Sequence, residues 1–222
     1  MTLFDPLLGK NIFILLSGEI RHKGLLIDVS NELLVIYSGK DFIYVPVHHI
    51  QKVLLDDEAE QQEEPDFSPF DELDEGISLR KLLTSAKGVF VELQISKNQV
   101  IHGYVTNVLN DYFAFHSPIY QTLFISFQHL KSLIPYEKNQ IPFGLELKSL
   151  PVKPSQISLA RSLEEQLRKS AGKLIVFDLG ETPAKIGKLE KVENQIIKLT
   201  TARENSTLLS LKHIKTVHFP SE

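Results

Sequence analysis

The chain has no cysteine, no tryptophan and a single methionine. Without cysteine, neither a disulfide framework nor a thiolate metal site can form. Long hydrophobic runs are absent too. The longest, Ile12-Phe13-Ile14-Leu15-Leu16, is far below the roughly 20 residues needed to cross a bilayer, so no membrane insertion is expected. Residues 1–10 lack the basic and apolar stretches of a secretory leader, which sets the expectation of a chain made on the cytoplasmic side of a membrane. Catalytic signatures are missing as well: there is no Walker loop, dinucleotide glycine fingerprint, zincin His-Glu pair or nucleophile elbow. The expectation is a non-enzyme that needs no cofactor and no metal.

What is present is an internal repeat. Apolar residues make up 42% of the 222 and charged residues 23%, ordinary values for a globular protein, and the length allows one large domain or two to three small ones. Three segments share an apolar strand, a glycine about ten residues on, and a histidine that opens an apolar-polar-polar-apolar close. The strands are Ile12-Phe13-Ile14-Leu15-Leu16, Val91-Glu92-Leu93-Gln94-Ile95 and Ile175-Val176-Phe177-Asp178-Leu179. The glycines are Gly24, Gly103 and Gly187, and the histidines His49, His129 and His213, separated by 25, 26 and 26 residues. Two anchors at nearly fixed separation, three times over, define a repeat of one supersecondary unit.

Each copy reads as five short strands. Val91, Leu93 and Ile95 alternate with Glu92 and Gln94, the period of a half-buried strand. The glycine follows a polar hairpin and opens strand two, where a strand bends or backbones approach closely. Polar turns at Ser30-Asn31, Asn110-Asp111 and Glu193-Asn194 lead into strand three, and the histidine turn separates strands four and five. The fold class expected is mainly β: three tandem small Sm-like or SH3-like five-stranded barrels, each closing most of its own edges. Short helices precede the later two, over residues 78–86 and 155–171, the second with Ser158 as its cap. Copy one has only a stub at residues 3–8, broken by Pro6. The domain boundaries follow: barrel one at 1–54, an acidic disordered linker at 55–76, helix and barrel two at 77–135, a Pro-rich linker at 136–154, and helix and barrel three at 155–222. Residues 54–86 hold eleven acids against Arg80 and Lys81, the composition of a solvated tether.

The closing segments Val47-His48-His49-Ile50-Gln51-Lys52-Val53, Phe127-Gln128-His129-Leu130-Lys131-Ser132-Leu133 and Leu211-Lys212-His213-Ile214-Lys215-Thr216-Val217 resemble those of the spore coat protein B family of endospore-forming bacilli. The acidic lead-in Phe70-Asp71-Glu72-Leu73-Asp74-Glu75 is similar to that family as well. Two features depart from it: there is no Gly-Gly-Pro hairpin between strands one and two, and no long Ser/Lys-rich tail after barrel three. The resemblance implies a structural protein of the spore coat, made in the mother cell and laid down on the forespore. Its partners would be other spore coat proteins and further copies of itself, through exposed strands four and five.

The alternative function is Sm-like RNA binding. Asp28-Val29-Ser30-Asn31 resembles the Asp-to-Asn turn of the first Sm signature, and Leu211-Lys212-His213-Ile214 the bacterial Sm-like closing turn. Net charge of −4 weighs against it, because nucleic-acid affinity rests on neutralising phosphates. His49, His129 and His213 could be imagined as a three-histidine metal site, but each occupies the same turn of its own repeat. A structural role fixing that turn is the simpler expectation.

Overall fold

The computed structural model describes residues 2–59, 63, 65, 69–70, 77–137, 140, 142–144 and 158–220. In chain order, the first set of strands is β1 (Asn11–Leu16), β2 (Ile20–Val29), β3 (Leu33–Tyr37), β4 (Phe42–Pro46) and β5 (Ile50–Leu55). Helix α1 (Leu79–Ser85) then leads to β6 (Phe90–Ser96), β7 (Gln99–Val108), β8 (Tyr112–Ser117), β9 (Gln121–Ser126) and β10 (Ser132–Pro135). Helix α2 (Leu163–Arg168) precedes β11 (Leu174–Phe177), β12 (Ile186–Glu193), β13 (Ile196–Thr200), β14 (Ser206–Ser210) and β15 (Thr216–His218). The protein is mainly β, and its named strands pair antiparallel throughout.

The chain divides into two compact units, Met1–Val105 with Leu130–Leu150, and Thr106–His129 with Pro151–Glu222. In the first, the strand order is β5-β1-β2-β3-β4-β10-β6-β7; in the second, from the end of β7, it is β8-β9-β15-β11-β12-β13-β14. No set closes on itself. The fourth strand of the first set pairs with β10, the fifth of the second, and β9 pairs with β15 in the same way. Neither unit's sheet closes, and among the described residues β5 is an end strand of the first and β14 of the second.

The repeat anchors take equivalent places. Gly24 pairs with Ile12, Gly103 with Val91 and Gly187 with Ile175. A Cβ on Gly24 would lie 2.2 Å from the Tyr37 carbonyl oxygen, and one on Gly187 2.3 Å from that of Thr200. Close backbone approach is thus the reason for glycine, but Gly24 and Gly103 sit inside β2 and β7 rather than opening them. The bend expected there comes from bulges beside it, between Leu26 and Asp28 in β2 and between Leu189 and Lys191 in β12. Each histidine ends a 3₁₀ turn: Val47–His49, Phe127–His129 and Leu211–His213.

β1 buries every second residue, putting Ile12, Ile14 and Leu16 into a core with Leu26, Leu34, Ile36, Ile43 and Val45. A second core gathers Leu163, Leu167, Ile175, Phe177, Leu189 and Val217 with Tyr112, Ala114 and Phe124. Ser78 caps α1 by accepting from the Lys81 N–H. α2 is shorter than its sequence pattern, and its cap is Ser162, which accepts from Glu165, rather than Ser158. Residues 155–157 of that expected helix lie outside the described residues, as do 71–76 of the acidic segment and 145–154 of the Pro-rich one.

In the third set the strand expected to run to Leu179 stops at Phe177. Asp178 and Leu179 turn with φ of 49° and 57°. The fully buried Asp178 carboxylate accepts from the Lys215 and Thr216 N–H groups at 2.7 and 3.1 Å, and pairs with Lys185 Nζ at 2.6 Å. Holding that carboxylate against the start of β15 outweighs the strand propensity of one apolar residue.

Candidate interaction edges

The residues that join one set to the next are found by counting from the repeat histidine. Five residues before it stand Tyr44, Phe124 and Leu208; four residues after it stand Val53, Leu133 and Val217. Tyr44 lies opposite Leu133 in β10, and Phe124 opposite Val217 in β15. Both joins therefore have one register. In each, the outward face of a fourth strand meets the fifth strand of the following set. All four side chains are buried to 1% exposure or less. Burying a side chain of this size contributes about 2–3 kcal/mol.

The helices obey the same rule. The Leu79 N–H at the start of α1 donates to Glu32 Oε2 at 2.9 Å, and Ser30 Oγ donates to the Ile77 carbonyl at 2.7 Å. At α2, the Leu163 N–H donates to Asp111 Oδ1 at 2.9 Å, while the Tyr112 hydroxyl donates to the Ala160 carbonyl at 2.8 Å. Glu32 and Asp111 occupy the turn between the second and third strands of their sets. A carboxylate at a helix N-terminus satisfies N–H groups that have no partner within the helix. Each helix is thus seated on the set that precedes it in sequence. Desolvation in that seat, with Asp111 nearby, pushes the Tyr112 hydroxyl up to about 12.

Two repeat histidines lie at these joins. His49 is buried, with Nδ1 3.0 Å from Lys131 Nζ and 3.2 Å from Ser17 Oγ. An ammonium only donates, so Nδ1 accepts there and the proton sits on Nε2. His129 Nε2 donates to the Lys212 carbonyl at 2.9 Å, one residue before the third repeat histidine. His213 ends the turn after β14 and is exposed. Among the described residues no group of three or more His, Asp or Glu side chains could hold a metal ion. None of the helices there is long and apolar enough to cross a membrane.

The sequence reading found the anchors and named strands four and five as contact edges between copies, but not the residues that meet there or the joins within the chain. Tyr44, Phe124 and Lys131 carry the joins, and their only sequence signal is constant distance from the repeat histidine. Tyr112, Phe113 and Phe115 of β8 are fully buried.

Comparison with known proteins adds two findings. Residues 162–217 match the family model described as the YwrJ third domain. The chain is 39% identical over 221 residues to the protein YwrJ of Bacillus subtilis (strain 168), covering 97% of this chain and 98% of that one.

Proposed function

Because the chain belongs to the YwrJ family, we propose that it is a non-catalytic structural protein of the bacterial spore coat that works by multivalent protein–protein contacts. Each five-strand set is read as one Sm-like module, and each module's outward strand face is a docking surface. The observation that carries this reading is the repeated join: Tyr44 on Leu133 and Phe124 on Val217, two uses of one edge-to-edge contact in one register. Main-chain pairing at a sheet edge supplies affinity, and side chains at alternate positions supply selectivity. Several such surfaces on one chain raise the effective concentration of each for its partner. The coat as destination is supported by the likeness of the three closing segments to the spore coat protein B family and by a Bacillus relative along the whole chain. Synthesis in the mother cell, deposition on the forespore, and coat proteins as partners belong to the same proposal.

The test is fractionation of sporulating cells producing the tagged chain. It is expected in the insoluble coat fraction of released spores, resistant to salt extraction. Recovery only in the soluble mother-cell lysate would overturn the coat assignment. Submicromolar, sequence-dependent binding of single-stranded RNA at about 0.15 M salt would replace it with a nucleic-acid function.

A further inference from the structure

We propose that copies of this protein join head to tail, β14 of one copy pairing antiparallel with β5 of the next, with Leu208 opposite Val53. The inference deepens the structural-protein reading and rests on it for its purpose, though its geometry is independent.

Two joins inside the chain define a rule: fourth strand to the fifth strand of the following set, the residue five before one histidine facing the residue four after the next. Applied along the chain, the rule leaves two strands without a strand partner on one side among the described residues, β14 as a fourth strand and β5 as a fifth. They are complementary halves of the same contact. The side chains at these edges are those expected of a join left open. Leu208 is 68% exposed, although its equivalents Tyr44 and Phe124 are buried to 1% or less. Leu54 and Leu55 of β5 are 44% and 45% exposed, and Ile196, on the face shared with Leu208, is 43% exposed, whereas its equivalents Leu33 and Tyr112 are buried.

An independent observation comes from the segment before each set. Gly9, Gly88 and Gly172 each end that segment with positive φ, of 71°, 77° and 86°. Six residues before these glycines stand Leu3, Leu82 and Gln166. Leu82 and Gln166 are buried to 2% or less, and Gln166 Oε1 lies 3.3 Å from the Tyr112 hydroxyl of the preceding set. Leu3, at the same place before β1, is 95% exposed. Leu3 is thus uncovered where its counterparts in the two later segments are buried, one of them against the preceding set.

The occupant is a second copy because the two open edges are unlike and match each other, not themselves. An exposed, apolar, charge-poor edge is also one that natural sheets otherwise avoid. On β14, Ser206-Thr207-Leu208-Leu209-Ser210 carries no charge, no proline and no glycine. Such a contact is heterologous, so it builds rings where the rotation closes and open chains where it does not. His213 then stands where His49 and His129 stand, against His48 in the turn before β5 of the next copy and Gln51 within that β5.

The test uses the cysteine-free background. Purified full-length Val53→Cys and Leu208→Cys variants are mixed and mildly oxidised, since opposed positions in an antiparallel pair lie within disulfide reach. The mixture is expected to give the mixed covalent dimer in large excess over what either variant gives alone, and the double variant a ladder of multimers. Leu208→Lys alters an exposed side chain, so circular dichroism and thermal midpoint stay as in the parent while association weakens at least about tenfold in light scattering. A parent that stays monomeric at about 100 μM overturns the inference, as does equal cross-linking within each single variant or unchanged association of Leu208→Lys. A chain that polymerises but never reaches the coat fails only the coat proposal. A coat-bound chain that remains monomeric fails only this one.

Discussion

His22 Nε2 and His218 Nδ1 are buried without a hydrogen-bond partner among the described residues, and His116 is buried in β8. Burial holds all three imidazoles below their ordinary value of 6.5, because the charged form loses its hydration. The unfolded chain therefore binds more protons than the native one between that ordinary value and the lower native ones. Stability from these residues is full above about pH 6.5 and is lost as pH falls toward the native values. The urea midpoint is expected to drop between about pH 7.5 and pH 5, before the carboxylates titrate. A midpoint that holds steady or rises over that interval contradicts the burial argument. These three residues stand apart from the repeat histidines, of which His49 and His129 find protein partners at the joins.

At the scale of elements, the β1–β2 pair depends on a side chain that is missing. Gly24 brings the two strands so close to β3 that alanine there would drive its Cβ into backbone at Tyr37, a group that cannot swing away. Gly24→Ala is expected to cost about 3 kcal/mol or more in urea unfolding. Gly18→Ala, at φ 86° in the hairpin but with open space around it, is expected to cost only about 1 kcal/mol. Equal costs would mean that backbone conformation, not approach, explains Gly24. This contrast shows how far the sequence reads. Gly24 and Gly187 were visible as glycines of a bend or a close approach, because a backbone constraint accounts for glycine at a fixed distance from strand one; only the structure selects close approach. The strand from Phe42 was visible from its apolar run, and α1 from Ser78 and the leucines after it. Which strand lies beside β4 was not visible. Alternation tells which face of a strand is apolar, but both faces of β4 and β9 are apolar, and nothing local distinguishes closure onto β5 from pairing with β10. The same blindness explains α2. Ser158 and Ser162 are equally good caps in sequence, and the choice falls to Ser162 because Asp111 receives the Leu163 N–H from another element.

For the whole molecule, the account rests on one contact used repeatedly: twice within the chain and once more between chains. Each internal join buries an aromatic of a fourth strand against an aliphatic of the next fifth strand, whereas at the open ends Leu208 is exposed and Val53 is only partly buried, against its own core. Nothing further is asked of the sequence than that its third use resemble its first two. Amide hydrogen exchange read across all three positions in one experiment tests this most directly, since a strand edge exchanges quickly until another strand covers it. In concentrated protein the account predicts slow exchange at Tyr44 with Leu133, at Phe124 with Val217 and at Leu208 with Val53. On dilution, or in Leu208→Lys, only the last pair should become fast. Fast exchange at Leu208 and Val53 at every concentration, with the internal joins protected, would contradict it.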